Sequence, residues 1–194
     1  MSQLRQKLFQ YRSYTPIPFL IVMILYAHST PATLLIGFAL AVAGELMRVW
    51  GVAYAGSLTR VTGGVGAPEL IVAGPFSYVR NPLYVGNMLM YVGIGVMANA
   101  LTPWLVLVAA IYFFFQYAMI VSLEEEFLEK TFGAGFLEYK KQVPRFVPWL
   151  ISYKHPAQST QLPNWREAFR SERRTLQAFI LVIVVLLIKW YWSL

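Results

Sequence analysis

Two apolar runs, residues 32–55 and 84–98, flank a stretch that is hostile to helix: residues 56–83 hold Gly63, Gly64, Gly66, Pro68, Gly74, Pro75 and Pro82. Inside a bilayer every backbone N–H and C=O must be paired within its own segment. A long apolar run there becomes a helix, and a stretch dense in helix breakers cannot face lipid. The alternation therefore dictates a bundle of membrane helices, with residues 56–83 as a water-side loop or a protein-lined cleft. Composition agrees, since 58% hydrophobic residues, 13% charged residues and a mean hydropathy of +0.54 are too apolar for an ordinary soluble domain.

Five spans are expected. The first covers residues 15–27, opened by Pro16 and Pro18, and is short unless interfacial flanks help it. It reads as a retained span, because no small-residue cleavage site precedes His28. Ser29-Thr30-Pro31 turns into the second span, 32–55, which only Glu45 and Arg48 interrupt. The third, 84–98, carries Gly86, Gly93 and Gly95 as a smooth face for close packing, and joins the fourth, 104–121, through a hairpin at 99–103. Residues 122–174 turn polar and basic, with a Gly133-Ala134-Gly135 break and prolines at 144, 148, 156 and 163. Asn164 followed by Glu167 resembles a capping box that starts a terminal helix, apolar over 178–188, with Lys189 snorkelling and Trp190, Tyr191 and Trp192 as its interfacial belt. All 194 residues are expected to form one membrane domain: two spans in 1–55, the third and fourth spans with the intervening loop in 56–148, and a linker with the last span in 149–194.

Lysine and arginine distribute unevenly among the connections. Arg5, Lys7 and Arg12 precede the first span, Arg60 and Arg80 lie in the glycine-rich segment, and nine fall in 122–174, whereas the turns at 29–31 and 99–103 have none. With five spans this places the amino terminus in the cytoplasm, the carboxyl terminus outside, and both polar segments on the cytoplasmic face. The net charge of +7 then records topology; no aromatic-basic reader motif accompanies it, so nucleic acid is not an expected partner. Cysteine is absent, and His28 and His155 are far apart, so no metal site is expected. A monomer is the favoured state.

Three groups could carry chemistry. Glu124, Glu125 and Glu126 close the fourth apolar run, where adjacent carboxylates at a helix carboxyl end oppose the macrodipole. They read either as a solvated boundary cluster or as a receptor for a cation or an amino group. In Arg80-Asn81-Pro82-Leu83-Tyr84, Pro82 suits the first turn of the third helix, with Asn81 before it and Tyr84 as an anchor. Glu45 and Arg48, three apart on one helix face, are either a packing ion pair or a contact for an acceptor head group. Arg145 is a candidate to oppose Glu124 or Glu125, or to meet lipid phosphate, and His155 reads as an exposed loop residue.

Three ordered motifs are Gly74-Pro75-Phe76-Ser77-Tyr78-Val79-Arg80-Asn81-Pro82-Leu83-Tyr84-Val85-Gly86, Glu124-Glu125-Glu126-Phe127-Leu128 and Tyr139-Lys140-Lys141-Gln142-Val143-Pro144-Arg145-Phe146-Val147-Pro148. Together they resemble the isoprenylcysteine carboxyl methyltransferases and their phospholipid methyltransferase relatives, in a short, prokaryotic-type form. The resemblance covers residues 68–148, about two fifths of the chain. It implies an integral membrane enzyme using S-adenosyl-L-methionine, with S-adenosyl-L-homocysteine as product, a cofactor pocket in the carboxyl-terminal half and a lipophilic acceptor entering from the bilayer. It places cofactor contacts at Glu69, Leu70, Ile71, Gly74, Phe76, Tyr78, Asn81, Pro82, Leu83, Tyr84, Glu124 and Glu125, and catalytic roles at Glu124 and Arg145. Glu45 and Arg48 are the candidates for the acceptor. Two positions depart from the family: Asn81 stands where it has histidine, and Ile120 where the isoprenylcysteine enzymes have an arginine one turn before the glutamates.

Methyl transfer from a sulfonium to a carboxylate needs positioning and desolvation but no base, whereas an amine acceptor must first be neutral. The resemblance therefore implies methyl-ester formation on an isoprenylcysteine-type carboxylate, with phospholipid N-methylation as the neighbouring alternative. A sterol-type membrane reductase shares the late Tyr-x-x-x-Val-Pro-x-x-x-Pro pattern, but no Gly-x-Gly-x-x-Gly fingerprint supports it. A non-catalytic scaffold or transporter is the other class, and no inverted repeat favours transport.

Overall fold

The computed structural model describes residues 2–56 and 68–193; Arg60, Gly63, Gly64 and Gly66 lie outside the described residues. Seven α-helices are present among them: α1 Ser2–Tyr11, α2 Pro16–Leu25, α3 Pro31–Ala55, α4 Pro82–Ala98, α5 Trp104–Phe132, α6 Ala134–Gln142 and α7 Trp165–Trp192. All five expected apolar segments are helical, yet only α3, α5 and α7 are long and apolar enough to cross a bilayer by length and composition. At 1.5 Å per residue α2 is only about 15 Å long and α4 about 25 Å, against a hydrocarbon core of about 30 Å. The chain is an integral membrane protein built as a helical bundle.

The ends of these helices follow local chemistry. Thr30 caps α3 by accepting from Thr33 N at 3.2 Å, while the Thr33 hydroxyl accepts from Thr30 N at 2.9 Å. Pro82 sits in the first turn of α4, as its fixed φ favours. Asn164 caps α7, its Oδ1 accepting from Glu167 N at 3.0 Å. Two helices run further than the apolar pattern. α5 continues to Phe132, so Glu124, Glu125 and Glu126 lie within it and not at its carboxyl end. The reason is that residues 127–132 contain good helix formers and nothing breaks the ladder until Gly133, whose φ is +52°. α7 begins at Trp165, directly after the expected cap at Asn164, so the basic stretch 166–174 forms its first turns ahead of the apolar run. Helices of 29 and 28 residues are about 43 and 42 Å long and project beyond the hydrocarbon core. The amino-terminal segment, read from sequence as merely polar, forms α1, which lies against α5 through the Arg5–Glu126 ion pair.

α3 and α4 form the tightest contact of the bundle. A Cβ on Gly37 would lie 2.5 Å from Gly93 O, and one on Gly44 would lie 2.5 Å from Gly86 O. Two glycines seven residues apart on each helix thus let the backbones meet, the small-residue strategy that holds helices together in lipid. Gly95 is not part of this face; it meets Met23 and Val106 instead. Lys189 donates to Ile24 O at 2.7 Å and Leu25 O at 2.5 Å, so its ammonium satisfies the carboxyl end of α2. Outside the spans, Val72, Phe136, Tyr139, Val143 and Tyr153 form a small separate core. His155 is exposed, as expected.

Two glycine substitutions separate close backbone contact from simple helix propensity. Gly93→Ala, whose Cβ would meet Ala41 N at 2.5 Å, should cost about 1–3 kcal/mol in detergent unfolding. Gly95→Ala, whose Cβ would lie 3.1 Å from both Met23 Cε and Val106 Cγ2, meets only side-chain ends and should lower the midpoint less than Gly93→Ala does.

Candidate functional site

The Gly74–Ser77 segment is a single 3₁₀ turn. Gly74 has φ +58°, and the Tyr54 ring lies 2.3 Å from where its Cβ would be, so both backbone and space require glycine there. The Ser77 hydroxyl donates to Gly74 O at 2.7 Å and closes the turn. α6 and the segment after it grip it from outside. Tyr139 OH donates to Phe76 O at 2.7 Å, Tyr153 N to Ser77 O at 2.8 Å and Trp149 N to Tyr78 O at 2.9 Å. Burial pushes the Tyr139 hydroxyl well above the ordinary phenol range, which keeps it a donor. Upstream, Gln161 takes the place of a neighbouring strand: its Oε1 accepts from Val72 N at 2.9 Å and Ala73 N at 3.2 Å, and its Nε2 donates to Leu70 O at 2.9 Å. Gln158 adds a bond to Val72 O at 2.9 Å.

Arg80 then joins this segment to α5 and α6. Its Nε donates to Glu125 Oε1 at 3.0 Å, and its Nη1 to Lys140 O at 2.9 Å and to Val143 O. Arg145 holds the other side of the same carboxylate through Nη2 to Oε2 and Nε to Oε1. Asn81 donates from Nδ2 to Arg145 O at 3.2 Å. Two guanidiniums thus occupy Glu125, and the Arg80-Asn81 pair fixes the chain at residues 143–145.

Glu124 faces elsewhere. It accepts from Tyr84 OH at 2.6 Å and lines a cavity of about 840 Å³. Tyr84 packs on Tyr117, ring centroids 4.8 Å apart. One end of the cavity is polar and aromatic, formed by Glu69, Phe76, Tyr84, Glu124, Phe136 and Tyr139. The other is apolar, formed by Ile17 and Leu20 of α2, Met90 and Ile94 of α4, and Phe179 and Val182 of α7. Arg12 and Arg174 line it as well. Near the polar end Arg48 makes a fork to Glu172, Nη2 lying 2.9 and 2.8 Å from the two carboxylate oxygens, and its Nη1 donates to Asn87 Oδ1.

The structure brings together on the cavity wall Glu69, Leu70, Ile71, Phe76, Asn81, Leu83, Tyr84, Glu124, Glu125 and Arg48 from the sequence reading. Gly74, Tyr78, Pro82, Glu45 and Arg145 are not on it: Gly74 seats against Tyr54, Tyr78 against Trp50, and Arg145 lies behind Glu125. Glu45 does pair with Arg48, at 3.6 Å, but the tighter partner of Arg48 is Glu172, four helices away in sequence and without any local signal. Sequence reasoning also passed over Tyr117, Phe136 and Asn87 as wall residues. Asn87 was recoverable, lying three residues after Tyr84 on one face of α4.

The sequence profile described as phospholipid methyltransferase matches residues 32–135, just over half of the chain, and the chain belongs to that family. It is 31% identical over 145 residues to the cobalt-zinc-cadmium resistance protein CzcN of Cupriavidus metallidurans, covering 71% of this chain and 62% of that protein. To the nickel-cobalt-cadmium resistance protein NccN of Alcaligenes xylosoxydans xylosoxydans it is 30% identical over 128 residues, 66% of this chain and 53% of that one. To a protein-S-isoprenylcysteine O-methyltransferase of Schizosaccharomyces pombe it is 29% identical over 79 residues, 41% of this chain and 33% of that enzyme. The chain therefore spans less than two thirds of the length of each of these curated relatives. No solved structure matches it.

Gln161→Ala would leave the buried N–H groups of Val72 and Ala73 without their acceptor. The expected cost is about 2 kcal/mol, read as a lower unfolding midpoint together with faster amide exchange confined to residues 70–73.

Proposed function

We propose that this member of the phospholipid methyltransferase family transfers a methyl group from S-adenosyl-L-methionine to a lipophilic acceptor carrying an isoprenylcysteine-type carboxylate, giving a methyl ester. The observation that carries this reading is the single cavity with a polar, carboxylate-bearing aromatic end and an apolar end between α2, α4 and α7. The donor set fits the cofactor: Glu124 supplies a carboxylate for its ammonium, Phe76, Phe136 and Tyr139 supply aromatic faces, and residues 69–71 supply backbone groups. When bound, the cofactor supplies an electrophilic methyl on a sulfonium.

The chain's own residues do the rest by holding and excluding. Tyr84 fixes the Glu124 carboxylate by its hydroxyl, so the charge is preoriented before any ligand arrives. Glu125 is a positioning residue, since its two arginines tie the 3₁₀ segment and residues 143–145 to α5. The apolar end accepts a hydrocarbon tail while Arg12 and Arg174 offer cations on the same wall. Ile120 is fully buried in the core, so an acceptor carboxylate is met by these arginines and not at the position the isoprenylcysteine enzymes use. On the topology argued from Lys and Arg counts, the polar end opens to the cytoplasm.

Phospholipid N-methylation is the second reading, and Glu124 with Tyr84 is what favours it, because a carboxylate within the cavity could take the proton an ammonium must lose. Calorimetry with S-adenosyl-L-homocysteine on the detergent-purified protein should show binding that Glu124→Gln weakens by about tenfold or more; no heat from the wild type would refute the methyltransferase reading. Radiolabelled methyl groups should then enter a prenylated cysteine in base-labile form. Base-stable label in phosphatidylethanolamine would instead establish the second reading.

A further inference from the structure

Between α6 and α7 the chain presents Val147, Pro148, Trp149, Leu150 and Ile151 in succession, within a region otherwise polar and basic. Val147 is 76% exposed, Leu150 96% and Ile151 80%, so these side chains have almost no partner among the described residues. A contiguous apolar patch of this kind marks a contact surface. It cannot relieve itself by folding inward, because its backbone is fixed: Trp149 N donates to Tyr78 O at 2.9 Å, and Tyr153 N to Ser77 O at 2.8 Å.

Two further observations say what covers it. The first is depth. Phe146, the residue just before the patch, packs against Phe114 with ring centroids 5.6 Å apart. Phe114 lies ten residues before Glu124, about 15 Å along α5 into its apolar stretch, and it is exposed alongside Ile111 and Phe115 on that helix. The loop therefore leaves the protein beside a lipid-facing surface. The second is chemistry. A tryptophan among aliphatic residues, bracketed by Arg145 and Lys154, matches the layering of a bilayer interface, with cations toward anionic head groups and the ring at their level.

We propose that residues 147–151 are an interfacial anchor, inserted among the lipids of the leaflet next to the polar end of the cavity. The partner is the lipid surface and not a second copy of the chain. The anchor ties down the segment that grips the 3₁₀ turn, so the outer wall of the cavity is held to the membrane at a point distinct from the spans. This holds whether or not the site methylates a carboxylate.

Because the chain has no cysteine, single labels report cleanly. Leu150→Cys and Ile151→Cys would each carry a nitroxide in nanodiscs containing anionic lipid, beside Ile111→Cys on the lipid face of α5 and Glu138→Cys on the exposed side of α6. Collision of the label with oxygen and with a water-soluble nickel chelate is then compared by electron paramagnetic resonance. The expected result is oxygen-dominated collision at 150 and 151, as at 111. Nickel-dominated collision, as at 138, would overturn the anchor, and spin–spin broadening at 150 or 151 would replace lipid by a second copy. Leu150 touches almost nothing in the chain, so its replacement leaves the fold intact, and 151 gives an independent reading.

Discussion

The Arg80 guanidinium is the point at which the membrane bundle and the part outside it become one object. It reaches the Glu125 carboxylate on α5 and two carbonyls at the end of α6, while its own backbone N–H bonds to Pro144 O at 2.9 Å. Carbonyls at a helix carboxyl end need donors, and a buried carboxylate needs cations; one side chain meets both needs. The 3₁₀ turn, α4, α5 and α6 on the polar side of the cavity all meet at this joint. The 3₁₀ turn precedes Arg80 by three residues, α4 begins two residues after it, and α6 ends against it.

The apolar side depends on a different constraint, close approach without a hydrophobic driving force. Lipid tails are as apolar as leucine, so α3 and α4 gain their contact from backbone proximity at Gly37, Gly44, Gly86 and Gly93. That proximity also sets the position of Arg48, because Gly86 lies against its Cγ, 2.7 Å from where a Cβ would be. Arg48 is then held to the height at which Glu172 can fork it. Breaking such a pair leaves a charge buried, which is why both members sit where α7 still has its polar first turns and before its apolar run begins.

The apolar runs, Pro82 at the start of α4, the Asn164 cap and the break at Gly133 were all legible in the sequence, because each is decided by residues within one or two turns. What was not legible is nonlocal or gradual. α5 continues past the three glutamates that close its apolar run, because no helix breaker stands there, so a span boundary inferred at Val121 is not a helix boundary. Gln161 looks like any polar loop residue, yet it pairs the backbone of residues 70–73 across about ninety positions of sequence. Glu172 likewise lies in a basic stretch that suggests charge balance, and only the packing of α7 on α3 shows that it serves Arg48. Most positions that the family motifs point to line the cavity, but Gly74, Tyr78 and Pro82 shape the backbone instead, and Phe136 and Tyr117, which no motif singles out, add surface.

The paired glutamates show why a motif can mark a site without assigning roles inside it. Neighbours on a helix project about 100° apart, so Glu124 and Glu125, although both reach the cavity wall, meet different partners. Glu124 turns toward Tyr84 in the bundle interior, and Glu125 turns toward what packs on α5 from outside. Here the outer face is covered by residues 143–145 and the Arg80 turn, which bring two guanidiniums to Glu125; the inner face is open to the cavity, where the Tyr84 hydroxyl donates to Glu124 and Arg12 lies on the same wall. A carboxylate already saturated by arginine has little left for a ligand cation, whereas one held by a single hydroxyl keeps most of its acceptor capacity. The division of labour follows from helical geometry and from what covers α5, and the same two letters on a helix rotated by one residue would exchange their tasks.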